Sequence, residues 1–249
     1  MKELRKPILI LFILTITLMS CEMRRSETWE VMSDKESDNG NIEKALKYIN
    51  NAIEITPKKS ILFYKMALYL TDLKLYEDAL RSIDNSIKLG NTDYNYYLTK
   101  ANILVEINQI DSAFINYALA IKLASSKPSI YVDRGIVFEK INEPDKALAD
   151  YNKAISLDST YYNAFYYRGL FKSTINKDYK SAIEDFSILI KNYNANTLNA
   201  KKFLGAAYLL RGACYDLSGD LDLACYDFGK AKELGLKEAD KYIKDKCLK

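Results

Sequence analysis

A bulky ring recurs at a fixed interval along this chain. Trp29, Phe63, Tyr97, Tyr131 and Phe165 stand 34 residues apart, and Tyr208 follows after 43. A period of that length marks stacked supersecondary units, none of which can hide its apolar face alone. Four positions after each ring comes a residue that is mostly small: Ser33, Ala67, Ala101, Gly135, Gly169 and Gly212. Sixteen or seventeen positions after it stands an alanine, at Ala45, Ala79, Ala113, Ala147, Ala182 and Ala224. Four further on comes a bulky residue, at Ile49, Ile83, Tyr117, Tyr151, Phe186 and Phe228. Offsets of three, four and seven are helical. Turn-formers at Asn39-Gly40, Asn108, Asn142 and Gly219-Asp220 divide the copies into two helices each.

This order of ring, small residue, alanine and bulky residue resembles the tetratricopeptide repeat. The fullest copies are Tyr131-Val-Asp-Arg-Gly135 with Ala147-Leu-Ala-Asp-Tyr151-Asn-Lys-Ala154, and Tyr208-Leu-Leu-Arg-Gly212 with Ala224-Cys-Tyr-Asp-Phe228-Gly-Lys-Ala231. The resemblance runs from residue 26 to about 238 and implies an all-α fold. The expected architecture is a right-handed α-solenoid of about six helix-turn-helix repeats, at 26–59, 60–93, 94–127, 128–161, 162–204 and 205–238. A capping helix at 238–249, with Ala239, Tyr242, Ile243 and Cys247 on one side, closes it after Gly235 ends the helix before. That makes about thirteen helices and no sheet. Glu36, inside the polar stretch Ser33–Asn41, predicts a frayed first helix in repeat one. Repeat five carries an extra residue around Asn176–Tyr179. An Asn-rich insertion near Lys191–Ala200 lengthens the next junction or extends the first helix of repeat six.

Upstream of the repeats lie Lys2, Arg5 and Lys6, then the unbroken apolar run Ile8–Leu14 and a stretch ending at Ser20-Cys21. This is the layout of a secretory signal peptide, and Arg24 and Arg25 stop it short of the apolar length a membrane span needs. Leu18-Met19-Ser20-Cys21 resembles the bacterial lipobox. The resemblance implies a signal peptide at 1–20, lipidation of Cys21, a lipidated tether at 21–25 and the repeat region at 26–249. It also implies a lipid-anchored place in the cell envelope, at the outer membrane on its periplasmic or surface face. Losing Lys2, Glu3, Arg5 and Lys6 lowers the net charge from +3 to +1. That balance lacks the clustered basic excess of a nucleic-acid binder.

The chain has no histidine, which excludes Ser-His-Asp and Cys-His machinery and histidine-ligated zinc. Carboxylates are plentiful, but charged residues make up 28% of the chain and repeat-protein helix faces are ordinarily charged. No catalysis, metal, cofactor or small-molecule substrate is expected. Arg134, Arg168 and Arg211 share one repeat position, and only their three repeats carry Asp150, Asp185 and Asp227 before the bulky residue. Such co-occurrence predicts structural, bidentate Arg–Asp pairs in preference to an anion-binding ladder of arginines. Cys214 and Cys225 lie level on either side of the Gly219-Asp220 turn. They form a bridge, as an exported protein permits, or remain buried thiols together with Cys247.

By analogy with the family, ligand-facing positions of the inner groove lie on the first helix of each pair. Here they supply Tyr64, Leu68, Leu98, Asn102, Val132, Ile136, Asn163, Tyr166 and Leu170. The wall is aromatic, aliphatic and amide with no basic residue, which suits an apolar or extended peptide segment. The resulting expectation is a non-catalytic, lipid-anchored scaffold that binds a protein or peptide partner. The alternative is a structural subunit of an envelope secretion or outer-membrane assembly complex, docked through its outer faces.

Overall fold

The computed structural model describes the backbone of residues 5–90 and 92–248, and the side chains of residues 20, 22–90 and 92–248. Among them are thirteen α-helices and no strand. The helices pair as α1 (Arg5–Asp38) with α2 (Ile42–Ile55), α3 (Ser60–Asp72) with α4 (Tyr76–Leu89), and α5 (Tyr94–Glu106) with α6 (Ile110–Leu123). They continue as α7 (Pro128–Lys140) with α8 (Pro144–Leu157), α9 (Tyr162–Thr174) with α10 (Tyr179–Asn192), and α11 (Leu198–Leu217) with α12 (Leu221–Glu233). A short α13 (Ala239–Tyr242) runs into a π-helical turn, Ile243–Cys247. The chain forms two compact units, the first through Ser125 and the second from Ser126.

Each pair turns in the same way. Gly40, Lys74, Asn108, Asn142, Lys177 and Gly219 all take left-handed φ values, between 52° and 88°. After each, a backbone N–H returns to the helix just ended, as from Leu75 to Leu70 and from Gln109 to Leu104, both at 2.8 Å. Orphan carbonyls at the helix end are thereby satisfied. Gln109, Glu143 and their counterparts then stand at the start of the second helix. In repeat five the same closure spans one residue more, from Asp178 to Lys172 at 2.9 Å, which absorbs the extra residue.

In the first unit the core gathers Ala45, Ile49 and Leu62, and then Ala67, Ala79, Ile83 and Ile103, all fully buried. In the second, Tyr151, Phe186 and Phe228 are buried at the bulky position of successive repeats. The small position of the first helix faces them. A Cβ on Gly135 would come 2.7 Å from Tyr151, and one on Gly212 would come 2.8 Å from Phe228. At these two positions glycine leaves the room that the ring, as it is placed there, takes up.

The first helix of repeat one does not fray. The buried Ser33 donates to the Ala45 carbonyl at 3.0 Å, and the buried Ser26 donates to that of Ala52 at 3.2 Å. These bonds fasten α1 along α2, and Glu36 is held by Asn41 and Lys44 at 2.8 and 2.7 Å. Residues 22–25, read as a tether, are helical within α1. The insertion before repeat six winds into α11, whose 20 residues exceed the 13 of α3, α5, α7 and α9. The expected boundary at 204/205 therefore falls inside α11, which begins at Leu198 behind an N-cap bond from Ala200 N–H to the Thr197 hydroxyl.

The side chains of 1–19 and Cys21, which carry the signal-peptide and lipidation readings, lie outside the described residues. Among the described residues no helix is long and apolar enough to cross a membrane.

Candidate functional site

The three repeat arginines hold their aspartates in two-pronged pairs. Arg134 donates Nε and Nη2 to Asp150, both at 2.8 Å, and Arg211 does the same to Asp227 at the same distances. Arg168 holds Asp185 likewise and extends Nη1 to Asn152 of the preceding repeat at 2.6 Å, as Arg211 does to Ser187 at 3.0 Å. With both prongs committed to a buried carboxylate, each arginine ties the two helices of its own repeat, Arg168 and Arg211 also reach the repeat before, and the three do not form an anion-binding row.

Of the two readings left open for these cysteines, neither holds in full: Cys214 is a buried free thiol and does not bridge to Cys225. Cys214 packs with Ala182 and Phe186, toward the preceding repeat, and burial pushes its thiol pKa up to about 11. Cys225 instead bonds to Cys247, pinning the chain end to α12. Beside this crosslink Tyr242 stacks on Phe228, with ring centroids 5.0 Å apart. Neither Cys225 nor Cys247 is a buried thiol.

The groove residues divide by burial. In the first unit Tyr64 is half-buried against the core, its ring 5.2 Å from that of Tyr96, and burial pushes its phenol up. Leu68 is half-buried beside it, while Leu98 is 8% exposed. The Asn102 carbonyl oxygen accepts from the Tyr117 hydroxyl at 2.6 Å, so it serves the interior. In the second unit Val132 is 2% exposed, Ile136 and Leu170 are half-buried, and Asn163 is exposed. Tyr166 lies under other rings, 5.4 Å from Tyr167, 6.2 Å from Phe186 and 5.2 Å from Phe203. Phe203 comes from the added turns of α11, which thus cover the tyrosine. Leu98, Val132, Tyr64 and Tyr166 share one repeat position. The shorter two end inside the packing, where the longer two reach its edge.

In the first unit part of the wall lies open between α1 and α3. Tyr64, Leu68 and Tyr69 floor a depression of about 270 Å³, rimmed by Asp34, Ser37, Asp38 and Lys65. Lys65 reaches Asp34 at 2.7 Å and Glu30 at 2.9 Å, and Tyr69 donates to Asp34 at 3.2 Å. Although burial opposes it, the bonds from Lys59 and Lys65 hold the Glu30 carboxyl below the usual carboxylate range. The sequence reading missed this polar rim, yet the signal was present. Asp34 occupies in repeat one the position that Leu68, Asn102, Ile136 and Leu170 occupy in later copies. Among the described residues no group of three or more Cys, Asp or Glu side chains is placed to hold a metal ion.

Residues 128–161 match the tetratricopeptide repeat family model. No curated protein matches the chain. Among solved structures, PilF of Pseudomonas aeruginosa aligns with a TM-score of 0.67 at 14% identity, covering 90% of this chain and 99% of its own. A chain of the APC/C hetero-tetramer Cut9–Hcn1 aligns with 0.69 at 14% identity, covering 95% of this chain and 46% of its own. YrrB, a tetratricopeptide protein with an unusual peptide-binding site, aligns with 0.52 at 18% identity, covering 79% of this chain and 97% of its own. At such identities the likeness is one of fold. The chain carries a tetratricopeptide repeat at 128–161, and its all-α architecture is that of tetratricopeptide-repeat proteins.

Proposed function

We propose that this protein is a non-catalytic scaffold of the cell envelope, anchored by lipid at Cys21, which binds an extended segment of a protein partner. The observation that carries the binding reading is the depression between α1 and α3, where the apolar floor of Tyr64 and Leu68 stands open beside hydrogen-bonding Asp34 and Ser37. Apolar side chains of a bound segment fit such a floor, and its backbone amides find acceptors on the rim. The peptide-binding site of YrrB, on the same kind of fold, supports this reading by analogy.

Two features support export. The N-terminal sequence ends its apolar run in Leu18-Met19-Ser20-Cys21. The Cys225–Cys247 crosslink suits an oxidising compartment.

Metabolic labelling with an alkyne fatty acid tests the anchor. Label should enter the wild-type chain and be absent from Cys21→Ala, which should then leave the membrane fraction without detergent. An unlabelled wild-type chain rejects the anchor. Affinity capture from detergent-solubilised envelopes tests the wall. Leu68→Arg should lose the partners that wild type retains while keeping its helicity. Unchanged capture rejects this wall as the binding surface.

A further inference from the structure

The second helix of repeat three exposes a face unlike the corresponding face in its sibling repeats. On α6, Ile115 is 63% exposed, Leu119 37% and Leu123 45%. Ala118 is exposed between them. Two of these positions, those of Ile115 and Leu119, are both aliphatic only in this repeat. Each of the other five copies places at least one charged or amide side chain across them, as with Lys47 and Asn51, or Arg81 and Asn85. The opposite side of the same helix buries Ala113, Tyr117 and Ala120 in the core. The exposed stripe is therefore an addition to the packing surface.

An acid precedes the stripe and a base stands within it, between Leu119 and Leu123. Asp111 and Lys122 are exposed, and neither is in an ion pair among the described residues. At 100° per residue, Asp111, Ile115, Ala118, Leu119, Lys122 and Leu123 fall within an arc of about 140°. The face thus reads acid, aliphatic, small, aliphatic, base, aliphatic along the helix. Laid antiparallel on a copy of itself, such a face is complementary. Asp111 of each helix meets Lys122 of the other, Ile115 and Leu119 interdigitate, and Ala118 leaves room for close approach.

We propose that α6 is a homotypic docking surface, on which two copies of this chain pair antiparallel about a two-fold axis. A helix of 14 residues is about 21 Å long, and one face of it falls well short of the roughly 800 Å² per partner typical of stable complexes. The pairing is therefore weak and concentration-dependent, and the two symmetry-related charge pairs set its orientation. This goes beyond the partner-binding reading and uses a different face.

Sedimentation equilibrium of the full chain, in density-matched detergent, tests it. Wild type should show a reversible monomer–dimer equilibrium. Asp111→Lys and Lys122→Asp should each weaken it about tenfold, because like charges then meet twice. The double change Asp111→Lys with Lys122→Asp should restore pairing with itself and not with wild type, which a parallel contact, in which like positions meet, would not give. Ile115→Lys should abolish pairing with helicity and melting unchanged, as the position is exposed. A chain that stays monomeric to its solubility limit overturns the proposal. So does a dimer indifferent to all four variants, or one that the double change fails to restore. None of these results bears on the wall between α1 and α3.

Discussion

Arg211 closes a two-pronged pair on Asp227, whose side chain is 1% exposed and meets no second cation among the described residues. Arg168 closes the same pair on Asp185, but there Lys172 also reaches the carboxylate, at 2.8 Å. The two sites are alike in sequence and differ in redundancy. Removing one partner of a buried pair leaves a charge without compensation, at about 3 kcal/mol or more. Arg211→Met should therefore cost about 3 kcal/mol in urea unfolding, and Arg168→Met distinctly less. The Arg211→Met, Asp227→Leu double variant should recover part of the loss. Equal costs at the two sites, or strictly additive double-variant energies, would remove the argument from compensation.

Two glycines that look alike in sequence should respond oppositely to alanine. A Cβ at Gly135 meets the buried Tyr151 ring at 2.7 Å, whereas at Gly229, inside α12, nothing lies within 4 Å. Gly135→Ala should destabilise by about 1–3 kcal/mol through overpacking. Gly229→Ala should stabilise by about 0.5–1 kcal/mol through helix propensity. Thermal melting of both variants decides it. A tolerated Gly135→Ala would mean that the helices can separate without loss.

The Cys225–Cys247 crosslink closes a sequence separation of 22 residues. A loop of that size is worth about 3 kcal/mol by the chain-entropy argument. Cys247→Ser should lower the melting temperature and expose the stretch after Ala239 to protease, while repeats further from the chain end stay protected. In the folded wild type no thiol among residues 22–248 should react readily, since Cys214 is 2% exposed and its pKa is pushed up to about 11. Rapid alkylation of Cys214 at neutral pH would contradict its placement.

The repeat period and helix pairing were legible because each copy restates one packing rule, and six restatements leave little freedom. The Arg–Asp pairs were legible for a related reason: two residues that occur only together are bound by one interaction. What escaped depends on backbone closure and on contacts that the repeat pattern does not state. Lys74 and Lys177 take the left-handed turn that Gly40, Asn108 and Asn142 mark openly, because the closing backbone bonds require that geometry whatever the side chain. The partner of Cys225 is set by which side of α12 faces the chain end, and level height along two helices carries no such information. Tyr166 reads as a groove residue until α11 gains its extra turns and lays Phe203 over it. The acidic rim at Asp34 was lost by starting the groove at repeat two.

Acid–base behaviour offers one more check, at Glu139. Burial pushes its carboxyl above the usual carboxylate range, while the hydrogen bond it accepts from the Tyr151 hydroxyl acts the other way. A carboxyl whose folded pKa is raised is most favourable to folding when protonated. Its contribution is full below the unfolded value of 4.5 and is lost as pH climbs through the folded value. Glu139→Gln removes the charge and keeps a carbonyl for Tyr151. The variant should therefore be more stable than wild type near neutral pH, and the advantage should shrink as both are acidified toward about pH 4. Melting curves of the two proteins across that range supply the test. Should the variant be the weaker protein at neutral pH, the charged hydrogen bond from Tyr151 outweighs the burial of Glu139, and the sign assigned to this site is reversed.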